Sequence, residues 1–106
     1  MTPEQEVARK KQLVSAAKAL LSLQVGISVG CVRISRALLR LALQSDERYR
    51  IFHRFNRATL GLPIGNDRLL WSHLPLLEHD AKLAKIEAEF RPKLLSACIA
   101  IIGEYG

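Results

Sequence analysis

The chain has 106 residues, of which 49% are hydrophobic and 25% charged, and its formal net charge is +6. This length suits one domain with a modest core, and the ordinary apolar fraction excludes an intrinsically disordered chain. The longest charge-free run, residues 19–32, is shorter than the roughly 20 residues that cross a bilayer as a helix, which excludes a transmembrane segment. We therefore expect a single domain over residues 1–106.

The opening residues carry a strong helix start. Thr2 suits the N-cap, Pro3 suits the first helical position, and Gln5 completes a capping box with Thr2. Apolar residues then recur at helical spacing. We predict a first helix over residues 3–23.

The stretch QVGISVGC, residues 24–31, places two glycines four residues apart in an apolar run. This spacing fits a continuous helix that packs closely on a neighbour, a turn between two helices, or an export-processing site. Ser28 disfavours export, because a lipoprotein processing box has a large apolar residue there. A glycine inside a helix costs up to about 1 kcal/mol relative to alanine, so we favour a turn at Gly26, with Gly30 at a tight crossing inside the next helix.

The second predicted helix, residues 28–44, is apolar over most of its circumference. A narrow polar stripe interrupts that surface and consists of Arg33, Arg36, Arg40 and Gln44. Such a helix must be covered on more than one side, so we place it at the centre of a bundle or at a contact between copies of the chain. Partial alternation and dense β-branched residues leave a strand as the lesser alternative for its start.

The third predicted helix covers residues 46–59 and follows Ser45 as N-cap. Its aromatic residues fall mostly at inward positions, which leaves its arginines mostly outside. These arginines are Arg48, Arg50, Arg54 and Arg57. Because arginines interleaved with aromatic residues are also typical of nucleic-acid binding, the four form a candidate basic binding face.

Two further helices complete the prediction, a short one over residues 67–73 and a long one over residues 76–103. Pro92 lies inside the long helix, where it removes a backbone hydrogen bond at a cost of about 3 kcal/mol. We therefore expect a kink or break near residues 91–92. The sequence predicts an all-α fold, namely a compact bundle of four to five helices. Such a bundle can also form a helical dimer.

Three stretches of the chain carry a family resemblance: LSLQVGISVGCVRISRALL, GLPIGNDRLLW and HDAKLAKIEAEFRPKLL. Together they are similar to the uncharacterised bacterial domain-of-unknown-function family numbered two-four-eight-nine. Members often carry a membrane anchor and have no established activity, so the resemblance implies an all-helical domain and no mechanism. Its members place a capping Thr and an acidic residue before the second glycine, and by that analogy Ser28 would cap the second helix.

Arg33 and Glu87 match positions of this family. Arg33 also lies between two apolar lines of the second predicted helix, where a buried guanidinium would need a carboxylate. We predict that Arg33 and Glu87 form a structural ion pair between the second and last helices.

The sequence offers little for catalysis or metal binding. The three histidines include no pair four residues apart, which is the spacing of a helical metal face. Cys31 and Cys98 fall on apolar faces, and neither a phosphate-binding glycine loop nor a nucleophile elbow is present. We expect that the protein is not an enzyme and that it binds neither a cofactor nor a metal. We also expect a cytoplasmic protein, with the periphery of the inner membrane as the alternative.

These observations predict a non-catalytic helical interaction or scaffold module. We expect a homo-oligomer, a dimer above other states, and a protein partner whose identity the sequence does not give. The alternative is nucleic-acid or acidic-partner binding through the basic face of the third helix, with nucleic acid less favoured because +6 is a moderate charge. Peripheral membrane contact through the lysine-bearing first helix is a third alternative.

Overall fold

The computed structural model describes residues 1–62 and 73–106, with the backbone alone at residues 73–76. In chain order its elements are helix α1 (Pro3–Leu21), helix α2 (Ile27–Arg40), a 3-10 turn (Glu47–Tyr49), helix α3 (Arg50–Ala58) and helix α4 (His73–Tyr105). α1 packs on α2 and α4, and α3 packs on the same two helices, so the four enclose one core. All regular structure in these ranges is helical, and the predicted all-α bundle is confirmed.

α1 begins at Pro3 because the capping box at its start is formed. The Thr2 hydroxyl accepts a hydrogen bond from the Gln5 backbone N–H, and the Gln5 side chain accepts one from the Thr2 backbone N–H, both at 3.2 Å. Two of the amides that a helix start leaves unpaired are thereby satisfied.

α1 and α2 both end in a Schellman motif that the sequence did not signal. Leu23 (φ +60°) and Ala42 (φ +57°) occupy the left-handed position that glycine usually takes. In each motif the amide of the following residue donates to a carbonyl five residues earlier, at 2.9 Å. These turns explain why α1 ends before the predicted residue 23 and α2 before the predicted residue 44.

The chain turns at Gly26 between α1 and α2, and it does not continue as one helix. Gly26 is the N-cap of α2, with extended backbone angles (φ −64°, ψ 155°). Ser28 is therefore the second residue of α2, and its predicted role as N-cap is wrong. Its buried hydroxyl instead donates to the Glu87 carboxylate of α4.

α2 approaches the end of α1 closely at Gly30. A Cβ built at Gly30 would lie 2.8 Å from Cδ1 of Leu20 and 3.2 Å from Cγ2 of Val25. Because Leu20 is fully buried, its side chain could make room for that Cβ only by repacking within the core. The structure thus places the tight crossing at the second glycine of the pair, within a helix.

The third predicted helix, residues 46–59, divides into the 3-10 turn and α3. Asp46, and not Ser45, caps this segment, since its carboxylate accepts a hydrogen bond from the Arg48 backbone N–H at 3.0 Å. The predicted short helix over residues 67–73 lies outside the described residues, apart from its last position.

α4 extends beyond both ends of the predicted helix over residues 76–103 and continues through Pro92. α4 is continuous at residues 91–92, so the predicted break is wrong, whereas the kink that the sequence offered as the other outcome stays a prediction. Phe90 and Leu94, on either side of the proline, both pack against the core. Packing of these flanking turns offsets the hydrogen bond that proline removes.

Aromatic side chains fill the centre of the core between α3 and its neighbours. Tyr49, Phe52 and Phe55 are at most 2% exposed. The ring of Phe55 meets that of Phe90 edge to face, with the ring centroids 5.7 Å apart. The residues that the sequence placed on the inward face of the third helix thus hold α3 against α4.

Replacing Gly30 by alanine should lower the free energy of unfolding by about 1 kcal/mol. Overpacking a dense core costs about 1–3 kcal/mol, which exceeds the gain of about 1 kcal/mol in helix propensity. Gly103→Ala in α4 is the matched control, because nothing lies within 4 Å of the added Cβ, and it should be neutral or stabilising. Urea unfolding of both variants makes the comparison, and equal stability of the two would contradict a close crossing at Gly30.

Candidate functional site

The solvent side of α3 is basic. Arg50, Arg54 and Arg57 are exposed and lie within an arc of about 60° around the helix axis, opposite the buried Phe52 and Phe55. The side chains of these three arginines form no ion pair and no hydrogen bond with any part of the chain that the structure describes. We call this surface, made of Arg50, Arg54 and Arg57, the α3 basic face.

Arg48, the fourth arginine of the predicted basic binding face, serves a structural role. Its Nη2 lies 2.9 Å from Oδ2 of Asp46, and its Nη1 lies 3.6 Å from Oε2 of Glu104. The guanidinium also lies 5.0 Å from the ring centroid of Tyr49. The hydrogen bonds from Arg48 lower the pKa of the Asp46 carboxyl. Arg48 therefore ties the 3-10 turn to the end of α4.

The predicted ion pair between Arg33 and Glu87 is not formed. Oε1 of Glu87 accepts a hydrogen bond from the Ser28 hydroxyl at 3.0 Å, and the Arg33 side chain is exposed. The polar stripe of α2 lies at the rim of the bundle, where a guanidinium keeps its hydration and needs no carboxylate.

Arg33 instead lines a groove between α1 and α2. Arg36 and Arg40, the next two residues of the polar stripe, line the same groove, whose volume is about 380 Å³. No carboxylate is among the lining residues in the described ranges. We call this feature the α1–α2 groove, and it is a second basic surface on the far side of α2 from α3.

Cys31 and Cys98 are free thiols in the core. Burial raises the pKa of Cys31 to about 12, with further contributions from Cys98 and Glu87, and burial alone raises the pKa of Cys98 to about 11. Because the thiolate is the nucleophile and the metal ligand, neither sulfur is activated near neutral pH. Across residues 1–62 and 73–106, no group of three or more His, Cys, Asp or Glu side chains converges on a common point.

The lysines of α1, which motivated the membrane alternative, are partly engaged within the fold. Nζ of Lys10 lies 3.2 Å from Oε1 of Glu6 and 5.9 Å from the ring centroid of Tyr105. None of the helices in the described part of the chain combines the length and the apolar character that crossing a membrane requires.

The fold and these surfaces define an all-α domain whose chemistry is concentrated in exposed arginines. A family model described as a protein of unknown function (DUF2489) matches residues 2–101. The chain belongs to this family, and the resemblance found in the sequence is confirmed. No curated protein and no solved structure matches the chain.

A double-mutant cycle should locate the partner of Glu87. We expect Ser28→Ala and Glu87→Ala to couple by about 1 kcal/mol, since a hydrogen bond to a charged acceptor is worth about 1.5–3 kcal/mol and this one is only partly buried. The control cycle of Arg33→Ala with Glu87→Ala should be additive within about 0.5 kcal/mol. Chemical denaturation provides the free energies, and strong coupling only in the control cycle would restore the Arg33–Glu87 ion pair.

Proposed function

We propose that this chain is a non-catalytic helical interaction module that binds an acidic protein partner through the α3 basic face. The observation that carries the proposal is the set of three exposed arginines with no partner in the described chain. Three like charges on one side of a short helix repel one another, and an acidic surface relieves that repulsion. Arginine also matches carboxylates well, because its planar guanidinium donates two parallel hydrogen bonds.

The burial of the aromatic residues favours a protein partner over a single-stranded nucleic acid. Binding of single strands relies on aromatic side chains on which bases stack. Tyr49, Phe52 and Phe55 alternate with the arginines in sequence, but all three rings are in the core. Packing of the rings thus explains why aromatic residues alternate with arginines here, which was the reason for considering nucleic acid. Only the arginine charges are left on the surface.

The neighbouring helix leaves the α3 basic face accessible. Glu89 of α4 lines the same shallow cavity as Arg54 without forming an ion pair with it. A partner carboxylate therefore competes with water at Arg54, and it does not have to displace an existing salt bridge. This arrangement lowers the cost of binding relative to a face that is already paired.

Buried thiols support the non-catalytic part of the proposal. The raised pKa values of Cys31 and Cys98 disfavour a cysteine nucleophile. Two free thiols also suit a reducing compartment, so we propose the cytoplasm as the place of action.

Binding of a short fluorescein-labelled glutamate-rich peptide tests the α3 basic face. Fluorescence anisotropy should detect binding to the natural sequence that weakens as salt rises, because exposed charges are screened. Combining Arg50→Gln, Arg54→Gln and Arg57→Gln should weaken binding about tenfold or more, as expected for the loss of several charge contacts. A labelled single strand and a labelled duplex of DNA are measured in parallel.

The matched control combines Lys82→Gln, Lys85→Gln and Arg91→Gln, which removes the same charge from exposed positions of α4. This control should bind the acidic peptide as the natural sequence does. Equal weakening in the two triple variants would reduce the effect to net charge and contradict the proposal. Tighter binding of DNA than of the peptide, lost with the α3 arginines, would replace it with the nucleic-acid alternative.

Self-association is the second candidate, and exposed apolar residues on α2 and α4 favour it. Leu39 of α2 is 61% exposed and Ile99 of α4 is 60% exposed. These are the two helices whose sequences carry more apolar surface than a small bundle covers. We propose a homodimer that buries these exposed apolar residues between copies of the chain.

Light scattering after size-exclusion chromatography tests the homodimer. We expect a dimer mass at micromolar concentration, and we expect Leu39→Lys combined with Ile99→Lys to shift the protein to monomer by burying charge at the contact. Leu77→Lys is the control, since Leu77 is an exposed leucine of α4 that the proposal does not use. A monomeric natural sequence at micromolar concentration would contradict the homodimer.

A further inference from the structure

The α1–α2 groove has one basic wall and one wall of small side chains. Arg33, Arg36 and Arg40 of α2 form the basic wall. Ala16 and Ala19 belong to the opposite wall, on α1. Because alanine projects so little, the two helices approach each other closely and still leave an open volume of about 380 Å³ between them. This volume lies in the range of small-molecule binding sites.

Among the described residues, the three guanidiniums of the basic wall have no acidic partner. The side chains of Arg33 and Arg36 form no ion pair and no hydrogen bond within residues 1–62 and 73–106. Nη1 of Arg40 lies 3.4 Å from Oε1 of Gln12, which is a neutral acceptor. A fourth cation adds to the field, since Nη1 of Arg9 donates to the Arg40 carbonyl at 3.0 Å.

Neither of the two helices that form the groove places a carboxylate among the described lining residues. The sequence has no acidic residue between positions 21 and 45, so α2 supplies none. The acidic residues of α1, Glu4 and Glu6, are in its first turn, and Glu6 pairs with Lys10. Positive charge in a groove with low-dielectric walls concentrates anions from solution.

The spacing of the arginines selects the kind of anion. Positions 33, 36 and 40 follow the helix axis over about 10 Å at 1.5 Å per residue, so a single small anion reaches only part of the row. Each guanidinium presents a planar fork that matches phosphate oxygens bidentately. The Ser15 hydroxyl and the Gln12 amide, which also line the groove, add neutral hydrogen-bond donors. No aromatic side chain lines the described groove, so it offers nothing on which a base would stack.

We propose that the α1–α2 groove is a binding site for a linear condensed phosphate, with the phosphate groups placed along Arg33, Arg36 and Arg40. This chemistry is shared by inorganic polyphosphate and by the phosphate chain of a nucleotide. The site is independent of the acidic-partner proposal, because it uses other residues on another helix.

Isothermal titration calorimetry with inorganic tripolyphosphate tests the site. We expect saturable one-to-one binding that weakens with rising salt and far exceeds the binding of orthophosphate. Arg33→Gln combined with Arg36→Gln should weaken tripolyphosphate binding at least about tenfold. Arg50→Gln combined with Arg54→Gln removes the same charge from the α3 basic face and should leave binding within about twofold of the natural sequence.

A neutral variant separates a shaped site from a general attraction of anions. Ala16→Leu keeps every charge and suits a helix, but its side chain fills the groove, so it should also weaken tripolyphosphate binding about tenfold or more. Circular dichroism and thermal unfolding check that each variant folds. Undiminished binding by Ala16→Leu, an equal loss in the α3 variant, or failure of the natural sequence to bind tripolyphosphate would each overturn the proposal.

The source of the phosphate chain is distinguished by a parallel titration with ATP. Equal affinity for ATP and tripolyphosphate assigns the site to the phosphate chain alone and favours inorganic polyphosphate. Tighter binding of ATP that is lost with Arg33→Gln and Arg36→Gln assigns the site to a nucleotide. Both results support the proposal, because both depend on the same row of arginines.

Discussion

The close approach of α2 to the end of α1 at Gly30 is the constraint on which the other features depend. A side chain at position 30 would press against Leu20, and Gly26 is the N-cap of the helix that carries Gly30. With α2 held there, Cys31 and Ile34 enter the core and the arginine stripe comes to lie beside α1. The geometry of the α1–α2 groove is thus a direct consequence of how the two helices pack.

The described core contains the two cysteine thiols and three of the aromatic rings. Both thiols and the rings of Tyr49, Phe52 and Phe55 are buried between helices, where they contribute packing energy. The solvent side of α3 and one wall of the α1–α2 groove carry exposed arginines. Arginine rather than lysine at these open positions favours ligands that accept paired hydrogen bonds.

Local signals in the sequence predicted the fold well, whereas side-chain partners depended on tertiary structure. The capping box at Thr2 and Gln5 acts within a few residues, and the interruption at Gly26 follows from the cost of glycine inside a helix. The ends of α1 and α2 were misplaced because Leu23 and Ala42 adopt a conformation for which their residue types give no signal. The break expected near residues 91–92 does not occur for the opposite reason, since the local cost of Pro92 is outweighed by packing on both sides.

The position of Arg33 illustrates the limit of arguments from periodicity. Helical spacing fixes the direction of a side chain around the axis of its helix, but it does not say which neighbouring helix lies in that direction. Arg33 lies between two apolar lines of α2, so the sequence placed it inside, while the structure puts small residues of α1 beside it and leaves the rim open. At that open rim the Arg33 guanidinium stays hydrated and does not require a carboxylate. The sequence did carry one signal that the stripe is exposed, which is the lack of any acidic residue between positions 21 and 45. A buried stripe of arginines would have required countercharges, whereas an exposed stripe requires none from the chain itself.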